Sequence, residues 1–574
     1  MHVLATAGHV DHGKSTLVAT LTGTDPDRWA EEKARGLTID LGFAHLALAS
    51  GREVAFIDVP GHVRFLKNML AGVGAIDACL FVVAATEGWK PQSEEHLRIL
   101  ELLGVRAGLV ALTKVDQADA ELTELATLDV EERVAGTFLD RAPILPVAAT
   151  TGRGMTELAA ALDSLTASTP TAPDRNRPRL WIDRAFAPTG AGTVVTGTLT
   201  GGTLRIADSL VLSPGGAEVR VRGLQTHHRS AAEVAPGNRV AVNLSGIGHH
   251  QLRRGDVLVT AGQWHLSRTL DAELEVLASL DHAVSRRGAY LLYLGSAEIP
   301  VRLRVLGDRV LEPGQRGPVR LHLARDVPVL PGDRFILRES GRDETVGGGS
   351  ILDVDPRLPA SRARPDRSVS RVVAERGWVD VDLLERLTGE RVEPDVARWV
   401  IAPEQLQATR DAVTEQVTAA GPLGLDVAVL DERRRAVLET LPGVSVRDGR
   451  VTIGPVRDPL ADHPWVAALE AAPFTPPGPD GVDRAEVREL VRRGLVVEED
   501  GVYFAASALD EAARRVARLL AASPGGATVA DIRDDLGTSR KYVLPLLSRL
   551  DRTGMTRRRG DLRLAGPRLP PIDG

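Results

Sequence analysis

The residues with the clearest chemistry near the N-terminus are Gly8-His9-Val10-Asp11-His12-Gly13-Lys14-Ser15, which fit the phosphate-binding P-loop pattern G-x-x-x-x-G-K-[ST]. The apolar run Val3 to Ala7 before them is typical of a buried strand, and Thr16 to Leu21 after them indicates a helix. In this setting backbone N–H groups and the N-terminus of the helix bind phosphate. We expect Lys14 to reach the β- and γ-phosphates and Ser15 to bind Mg²⁺.

Two later stretches have the form of Mg²⁺-binding and γ-phosphate-sensing segments. Asp58-Val59-Pro60-Gly61-His62 follows an apolar strand, so we expect Asp58 to hold Mg²⁺ through water and the N–H of Gly61 to bind the γ-phosphate. Arg35-Gly36-Leu37-Thr38-Ile39-Asp40 lies between the P-loop and Asp58, where a phosphate-sensing switch is expected. Thr38 would complete the Mg²⁺ shell when γ-phosphate is present.

A further stretch indicates which base is bound. Thr113-Lys114-Val115-Asp116 follows another apolar strand, Leu109 to Leu112. A carboxylate at Asp116 can accept hydrogen bonds from two N–H groups on the edge of guanine, and adenine offers no such pair. The order of these stretches and their strand contexts therefore predict an α/β domain that binds GTP.

Residues 1–170 resemble the GTPase domain of the translational GTPases, the group that contains elongation factor Tu, and are most similar to the bacterial selenocysteine-specific elongation factors. The resemblance rests on Asp11-His12 in the P-loop, on the stretch 35–39 and on the stretch 58–62. It implies a GTPase that binds GTP or GDP with Mg²⁺. It also implies that His62 is the catalytic histidine, which orients the attacking water.

The nucleotide site implied by this resemblance departs from the commonest pattern at two positions. Thr113 stands where most GTPases have Asn, and Ala148-Ala149-Thr150 stands where Ser-Ala is usual, so backbone N–H groups would contact guanine O6 without help from a serine. Neither change removes Asp116. The residues expected to contact the nucleotide are Asp11, His12, Gly13, Lys14, Ser15, Thr16, Gly61, Thr113, Lys114, Asp116, Ala148 and Ala149, and those expected to hold Mg²⁺ are Ser15, Thr38 and Asp58.

The middle of the chain contains short apolar runs separated by glycines, which predict two β-barrels at residues 179–262 and 268–355. A Pro-rich linker, residues 169–178, precedes the first barrel. The stretches Gly192-Thr193-Val194-Val195-Thr196-Gly197 and Pro331-Gly332-Asp333-Arg334-Phe335 resemble the two barrels of the same family. In that family the barrels and the GTPase domain together bind an aminoacyl-tRNA.

The charge of the carried amino acid indicates where selectivity would arise. A selenol is largely ionised at neutral pH and a serine hydroxyl is not, so a pocket that selects selenocysteine should be cationic. Arg184 and Arg239 occupy positions that resemble the amino-acid pocket of the family, with Asp183 and Asp40 as orienting or amine-binding groups. The alternative is that Arg184 simply pairs with Asp183 on the surface of a barrel.

Residues 367–567 have the pattern of a mostly helical arm of tandem winged helices, in which helices alternate with short strand pairs. Helical patterns cover 368–387, 403–419, 426–441, 483–493, 507–522 and 540–550, and the strand pairs are 444–446 with 451–453 and 496–497 with 502–504. We expect three or four units, arranged as a winged-helix pair at 367–455, a winged helix at 456–506 and an RNA-binding winged helix at 507–567.

Positive charge is concentrated in the last unit, in a candidate recognition helix at 540–550 and a candidate wing at 556–563. This unit resembles the last winged helix of the bacterial selenocysteine-specific factors, which implies binding to the hairpin of selenoprotein messages. The alternatives are a solvated basic face and a DNA-binding surface. The residues expected to bind RNA are Arg540, Lys541, Arg549, Arg557, Arg558, Arg559 and Arg563.

Composition limits the remaining possibilities. The 574 residues carry a formal net charge of −7, which by itself does not indicate nucleic-acid binding. The single Cys79 cannot form an internal disulfide, and no run of apolar residues is long enough for a membrane span. The N-terminus also lacks the pattern of a signal peptide. We therefore expect a cytoplasmic monomer with no membrane partner.

The sequence thus predicts a multidomain protein with an α/β P-loop GTPase domain, two β-barrels and a C-terminal arm of tandem winged helices. By resemblance, it would deliver selenocysteinyl-tRNA to the ribosome at recoded UGA codons while the arm binds the messenger hairpin. Two alternatives stay open. One is a translational GTPase that carries a different tRNA, and the other is a nucleotide-switched regulatory protein whose winged helices bind DNA or protein.

Overall fold

The computed structural model describes residues 2–26, 41–59, 76–226, 229–454 and 460–571. The stretch 35–40 and residues 60–62 lie outside these ranges, and with them the expected site residues Thr38, Asp40, Gly61 and His62. The chain divides into two compact units, Met1–Ala402 and Pro403–Gly574. Among the described residues no helix is long and apolar enough to cross a membrane.

The first domain is a six-stranded sheet flanked by helices, which confirms the predicted α/β fold. Its strands are β1 (His2–Ala7), β2 (Gly42–Ala47), β3 (Glu53–Asp58), β4 (Ala78–Ala84), β5 (Gly108–Thr113) and β6 (Ile144–Pro146), and its helices are α1 (Lys14–Thr22), α2 (Pro91–Leu102), α3 (Ala120–Val134) and α4 (Met155–Ser168). The strand order is β2-β3-β1-β4-β5-β6, with β2 antiparallel and the other neighbours parallel. The residues of β1, β4 and β5 are all buried, as expected for central strands covered on both faces.

One edge of this sheet brings the sequence motifs together. The P-loop follows β1, Asp58 is the last residue of β3, and Thr113 is the last residue of β5. The carboxyl ends of neighbouring parallel strands lie at the same edge, so residues far apart in sequence meet there. The sheet therefore positions the phosphate, metal and base motifs around one site. We call this edge, at the P-loop, Asp58 and Thr113, the motif edge.

The first barrel is a seven-stranded antiparallel sheet in which β10 also pairs with β11. Its strands, with a small side sheet of β9 and β13, are β7 (Arg179–Phe186), β8 (Thr193–Thr200), β9 (Leu204–Arg205), β10 (Ser209–Ser213), β11 (Glu218–Thr226), β12 (Arg229–Ala231), β13 (Glu233–Val234), β14 (Arg239–Ser245) and β15 (Val257–Thr260). The order of the main sheet is β10-β15-β7-β8-β14-β11-β12. Its interior is an apolar cluster of leucines, valines and one isoleucine.

The second barrel is closed, in the order β16-β21-β19-β18-β22-β23. Its strands, with a side sheet of β17 and β20, are β16 (Leu266–Val276), β17 (Val284–Ser285), β18 (Tyr290–Leu294), β19 (Ala297–Val305), β20 (Val310–Leu311), β21 (Arg316–Pro328), β22 (Arg334–Glu339) and β23 (Glu344–Asp353). Along β19 every second residue is buried, since the strand alternates apolar residues with outward-facing ones such as Arg302 and Arg304. The two predicted barrels are therefore confirmed.

A small helical module follows the second barrel and shares its core. It consists of α5 (Val369–Arg376), β24 (Trp378–Asp380), α6 (Val381–Thr388) and β25 (Trp399–Ile401). Val372 and Leu384 are buried in the same apolar cluster as Leu270 of the barrel. The predicted continuous helix over 368–387 is wrong at its centre, because Gly377, with a φ of 74°, ends α5 and the next three residues pair with β25 as a strand.

The second unit contains three modules, each ending in a β-hairpin. The first has α7 (Pro403–Ala419), β26 (Leu425–Asp426), α8 (Glu432–Leu438), β27 (Val444–Arg447) and β28 (Arg450–Ile453). The second has α9 (Pro464–Ala471), α10 (Arg484–Arg492), β29 (Val496–Glu499) and β30 (Val502–Ala505). The third has α11 (Ala506–Ala522), β31 (Ala527–Thr528), α12 (Val529–Leu536), α13 (Arg540–Arg552), β32 (Thr556–Arg559) and β33 (Leu562–Ala565). The predicted helix over 426–441 is confined to α8, and α9 is a helix that the sequence pattern did not reveal. The boundary between the two units falls inside residues 367–455, for which the sequence predicts a winged-helix pair.

Candidate nucleotide and RNA sites

The P-loop depends on backbone conformations that glycine adopts most easily. Gly8 has a φ of 128°, and a Cβ atom there would lie 2.1 Å from the carbonyl oxygen of Val82. Asp11 and Gly13 also have positive φ angles, of 63° and 84°. Such conformations let successive backbone N–H groups face one side, as phosphate binding requires.

Lys14, Ser15 and Asp58 come together as the sequence predicts. The Nζ atom of Lys14 donates to the carbonyl oxygen of Gly8 at 3.0 Å, so this side chain lies along the loop. Ser15 Oγ donates to Asp58 Oδ2 at 2.6 Å, and the other carboxylate oxygen accepts from Thr6 Oγ1 at 2.6 Å. Asp58 is fully buried and accepts hydrogen bonds from one hydroxyl on β1 and one on α1.

This donor set fits Mg²⁺. Ser15 and Asp58 supply a hydroxyl and a carboxylate oxygen, the hard ligands that Mg²⁺ prefers, in a site where Mg²⁺ keeps several of its waters. When bound, the ion would neutralise charge on the β- and γ-phosphates, and Lys14 would do the same from the P-loop side. Thr38, the remaining expected ligand, lies outside the described residues.

Helix α2 supplies two hydrogen bonds to the P-loop that the sequence motifs did not reveal. His96 Nδ1 accepts the backbone N–H of Gly8 at 3.1 Å, and Gln92 Oε1 accepts that of Val10 at 3.0 Å. Burial lowers the pKa of His96 to about 3, so the ring stays neutral and Nδ1 can accept. The two residues are four positions apart on one helix face, but the sequence does not show which element that face contacts.

His12 belongs to the scaffold of the loop. Its ring is fully buried, Nδ1 lies 3.3 Å from the carbonyl oxygen of Val82, and burial lowers its pKa to about 4. Asp11 and Thr16, by contrast, are exposed beside it. His12 therefore supports the backbone of the loop, while direct contacts of Asp11 and Thr16 with a nucleotide stay a prediction.

Thr113 makes a hydrogen bond that connects its own loop to the P-loop. Its Oγ1 donates to the carbonyl oxygen of His12 at 2.6 Å and ties the base-binding loop to the P-loop. Lys114 follows with a φ of 59°, and its Nζ lies 3.3 Å from a carboxylate oxygen of Glu87. The hydroxyl of Thr113 thus connects the loop that contains Asp116 to the P-loop.

Two of the residues predicted to contact guanine, Asp116 and Ala148, make hydrogen bonds within the protein. Asp116 Oδ2 accepts from Thr150 Oγ1 at 2.9 Å, which orients the carboxylate that would bind the base. The backbone N–H of Ala148 donates to the carbonyl oxygen of Arg153 at 2.9 Å. Since this N–H is used inside the loop, Ala149 is the better candidate for a contact with guanine O6.

A second site lies where β2 of the GTPase domain meets the first barrel. Asp183 forms an ion pair with Arg239, whose Nε and Nη2 atoms lie 3.1 and 3.0 Å from its two oxygens. The guanidinium of Arg239 lies 3.7 Å from the centre of the Phe43 ring, and that of Arg184 lies 5.9 Å from it. Arg184 Nη2 also donates to the carbonyl oxygen of Leu41 at 3.1 Å.

We call Phe43, Asp183, Arg184 and Arg239 the arginine pocket. The sequence predicted its charged members but missed Phe43, whose position on β2 becomes relevant only when the barrel packs beside it. Asp40, also predicted here, lies outside the described residues. The pocket joins a cationic surface to an aromatic face, an arrangement that stabilises positive charge and can receive an anion.

The basic face of the last module is smaller than the sequence predicts. Arg549 and Arg552 pair with Glu499, which is buried in the preceding hairpin, and Arg563 is buried and pairs with Asp551 at 2.8 Å. In the part of the chain that the structure describes, no carboxylate pairs with the other five basic residues, all of them exposed. These are Arg540, Lys541, Arg557, Arg558 and Arg559, which we call the basic wing face.

Comparisons with known proteins match the GTPase domain, both barrels and the last module, and relatives align along nearly the whole chain. Family descriptions match as the elongation factor Tu GTP-binding domain over residues 1–168, elongation factor Tu domain 2 over 192–259, the β-barrel domain of selenocysteine-specific elongation factors over 271–358 and the winged helix of elongation factor SelB over 518–565. The chain is 34% identical to the selenocysteine-specific elongation factor of Desulfomicrobium baculatum, covering 98% of this chain and 99% of that protein. It is 31% identical to that of Escherichia coli, covering 97% and 98%.

Two solved structures are also similar. The crystal structure of a bacterial selenocysteine-specific elongation factor aligns with a TM-score of 0.70 at 24% identity, covering 98% of this chain and 99% of that one, and it shows the same fold. The factor of Methanococcus maripaludis in complex with the GTP analogue GppNHp aligns with a TM-score of 0.54 at 25% identity, over 62% of this chain and 79% of that one.

Proposed function

Because the chain belongs to the family of selenocysteine-specific elongation factors, which are translational GTPases, we propose that it carries selenocysteinyl-tRNA in its GTP form and holds a hairpin of the message with its last winged helix. The ribosome then stimulates GTP hydrolysis at a recoded UGA codon. His62 orients the attacking water, while Lys14 and Mg²⁺ neutralise charge on the phosphates. The protein works in the cytoplasm, where the ribosomes are.

The observation that carries the proposal is the arginine pocket. Two guanidinium groups face one described carboxylate there, so its described side chains have a net positive charge. A selenolate gains charge-assisted hydrogen bonds from such a site, whereas a neutral serine hydroxyl leaves the cations less well satisfied. Asp183 and Phe43 contact Arg239, and the substitution of Arg184 leaves the Asp183–Arg239 pair in place.

A basic groove on the second barrel supports binding of the tRNA body. It has a volume of about 1120 Å³, and Asp308 is the one acidic residue among its described lining residues. Within the described residues, no carboxylate lies within ion-pair distance of its arginines, which are Arg286, Arg287, Arg302, Arg304 and Arg309. Unpaired arginines on a concave surface bind a phosphate backbone without regard to sequence. The groove therefore contributes affinity, and the arginine pocket contributes selectivity.

The basic wing face supports binding of the messenger hairpin. Its cations lie at the start of α13 and on β32, the two elements of a winged helix that most often contact nucleic acid. Side chains of this kind can bind phosphates and the splayed bases of an RNA loop. Binding to the message keeps the carried tRNA close to the recoded codon and raises its effective concentration there.

The decisive experiment compares Arg184→Ala with the wild-type chain in the GTP form. We expect wild type to bind selenocysteinyl-tRNA far more tightly than seryl-tRNA of the same tRNA body. Loss of the charge-assisted contact should weaken binding of the selenocysteinyl form by about tenfold or more and leave the seryl form nearly unchanged. Arg304→Ala is the matched control, because loss of a phosphate contact should weaken both tRNAs equally.

Other outcomes separate the alternatives. Equal binding of both tRNAs by wild type would indicate a translational GTPase that carries a different tRNA. Binding of neither, with GTP hydrolysis that ribosomes do not stimulate, would favour a regulatory protein that uses its winged helices on DNA or protein. An unchanged preference in Arg184→Ala would remove Arg184 from the pocket but leave the carrier function intact.

A further inference from the structure

We propose that His282, Glu339 and Glu344, at one end of the second barrel, bind a divalent transition-metal ion, with Zn²⁺ as the best fit. Within the described residues, this is the group of histidine, cysteine and carboxylate side chains whose possible ligand atoms converge, all lying within 4.8 Å of one another. The group lies in the second barrel, whereas the residues of the motif edge lie in the GTPase domain.

The distances match a tetrahedral ion. The Nε2 atom of His282 lies 3.0 Å from Glu339 Oε2 and 3.6 Å from Glu344 Oε1. Zinc bonds to nitrogen and oxygen of about 2.0–2.1 Å, at tetrahedral angles, place neighbouring ligand atoms about 3.4 Å apart. The observed separations lie on either side of that value, so a small movement of one carboxylate would complete the coordination.

The far side of the histidine ring is positioned as in known metal sites. Nδ1 of His282 lies 3.0 Å from Asp281 Oδ1 and 3.0 Å from Arg342 Nη1. A metal ion on Nε2 would select the tautomer with the proton on Nδ1, which then donates to Asp281. Metal-bound histidines usually make such a contact, because it fixes the ring and leaves the Nε2 lone pair directed at the ion. Here that lone pair would face Glu339 and Glu344.

The two glutamates lie close together, and their nearest contacts with a cation, to Arg342, are 3.9 Å long. Glu339 and Glu344 are directly paired across the hairpin of β22 and β23, and like charges in that position destabilise a sheet. The Oε1 atom of Glu344 is buried and has no hydrogen-bond partner. Its contacts with His282 and Arg342, at 3.6 and 3.9 Å, are longer than hydrogen bonds, and a metal ion at this point would satisfy the oxygen directly.

Charge balance also agrees with a dication. Arg342 contacts all three carboxylates, with Nη1 3.2 Å from Asp281 Oδ1 and 3.9 Å from Glu344 Oε1, and with Nε 3.9 Å from Glu339 Oε2. With a neutral His282, the three carboxylates and Arg342 leave a net charge of −2, which one divalent ion cancels. A single imidazole with two carboxylates suits Zn²⁺ better than Mg²⁺ or Ca²⁺, which take sets of oxygen ligands.

The test measures metal uptake by the full-length chain after treatment with a chelator, in the presence of GDP and excess Mg²⁺ to occupy the nucleotide site. Co²⁺ serves as a visible probe of tetrahedral coordination, and Zn²⁺ is titrated against a chromogenic chelator. We expect one equivalent of Zn²⁺ to bind, to displace Co²⁺ and to raise the unfolding temperature.

Glu344→Gln and His282→Asn should each weaken Zn²⁺ binding by about tenfold or more, since even outer-shell changes have effects of that size. Without metal, Glu344→Gln should be no less stable than wild type, because it removes a like-charge contact; loss of binding would then not reflect misfolding. His250→Asn, at an exposed histidine outside the cluster, is the control and should bind as wild type does. The proposal is overturned if wild type takes up no Zn²⁺, if Glu344→Gln binds as tightly as wild type, or if His250→Asn loses binding equally.

Discussion

The hydroxyl of Thr113 makes a hydrogen bond whose contribution to nucleotide affinity can be measured. Its hydroxyl reaches the backbone of the P-loop, and Thr113→Val keeps the volume but leaves the carbonyl oxygen of His12 without that donor. We expect the affinity for GDP to fall about fivefold, equivalent to about 1 kcal/mol for a lost buried hydrogen bond. Fluorescent GDP titrations would measure this change.

The control for this prediction is Thr150→Ala, at the exposed hydroxyl that donates to Asp116. Its effect should be smaller, because water can replace an exposed hydroxyl. If Thr113→Val binds GDP like wild type, the contact with the P-loop contributes nothing to nucleotide affinity.

His96 predicts a pH dependence at the same residue scale. Its pKa is lowered to about 3 in the folded chain and that of His12 to about 4, in both cases mainly by burial, whereas an unfolded histidine titrates near 6.5. Below about pH 6.5 the unfolded state therefore binds more protons, and the stability of the GTPase domain falls as pH decreases. The slope should reach about 1.4 kcal/mol per pH unit for each histidine.

This slope can be measured from the temperature at which bound fluorescent GDP is released on heating, between pH 7.5 and pH 5. His96→Gln, which retains an acceptor oxygen, should lower the slope, whereas His250→Gln at an exposed position should not. A slope that is identical in wild type and His96→Gln would show that His96 does not govern acid sensitivity.

At the scale of elements, Glu499 connects two winged-helix modules. It lies at the end of β29, is buried, and pairs with Arg549 and Arg552 of α13. Glu499→Gln should weaken this connection by about 1–2 kcal/mol, less than for a fully buried pair because both arginines are partly exposed. Hydrogen exchange in α13 should become about five to thirty times faster in the full chain, as read by mass spectrometry.

Glu498→Gln is the matched control, since the neighbouring side chain on the same strand is exposed. It should leave exchange in α13 unchanged. Equal effects of the two variants would mean that charge on the strand matters and that the specific pair does not.

The same element explains what the sequence could and could not predict. The P-loop, Asp58 and Asp116 follow apolar strands, and the rule that parallel strands end at one edge was enough to bring them together. Nothing local marks Arg549 as different from Arg540, because its partner Glu499 lies fifty residues away in another module. Periodicity predicts a helix, but it does not predict which basic residues on that helix tertiary packing will neutralise.

The structure differs from the sequence prediction in two further places, the helix predicted over 368–387 and the contacts of Gln92 and His96. The run 368–387 keeps helical periodicity on both sides of Gly377, yet a glycine with positive φ ends the helix and lets Trp378 enter a strand. His96 and Gln92 were missed for the opposite reason, since each looks like an ordinary member of an amphipathic helix. Only the fold shows that their face of α2 lies against the P-loop.

At the scale of the whole molecule, the boundary that matters lies after residue 402 and not at the end of the second barrel. Val372, Leu384 and Leu387 of the small helical module are buried in the barrel's own apolar cluster, and Arg371 pairs with Asp353 of β23 at 2.8 Å. A chain truncated to residues 1–402 should therefore keep nearly the full stability of the first unit. A chain truncated to residues 1–366 should lose several kcal/mol, because each buried Val or Leu contributes about 1.5–3 kcal/mol.

Thermal unfolding followed by barrel-specific hydrogen exchange distinguishes the two truncated chains. We expect the unfolding temperature of residues 1–402 to lie within a few degrees of the corresponding transition in the full chain, and that of 1–366 to be clearly lower, with the loss concentrated in β16 and β21, which line the shared cluster. Fluorescent GDP binding should be intact in both chains, because the motif edge lies in the first domain. If 1–366 unfolds at the same temperature as 1–402, the helical module does not stabilise the barrel. If it unfolds earlier, the small helical module is a structural part of the first unit, and the second unit begins at α7.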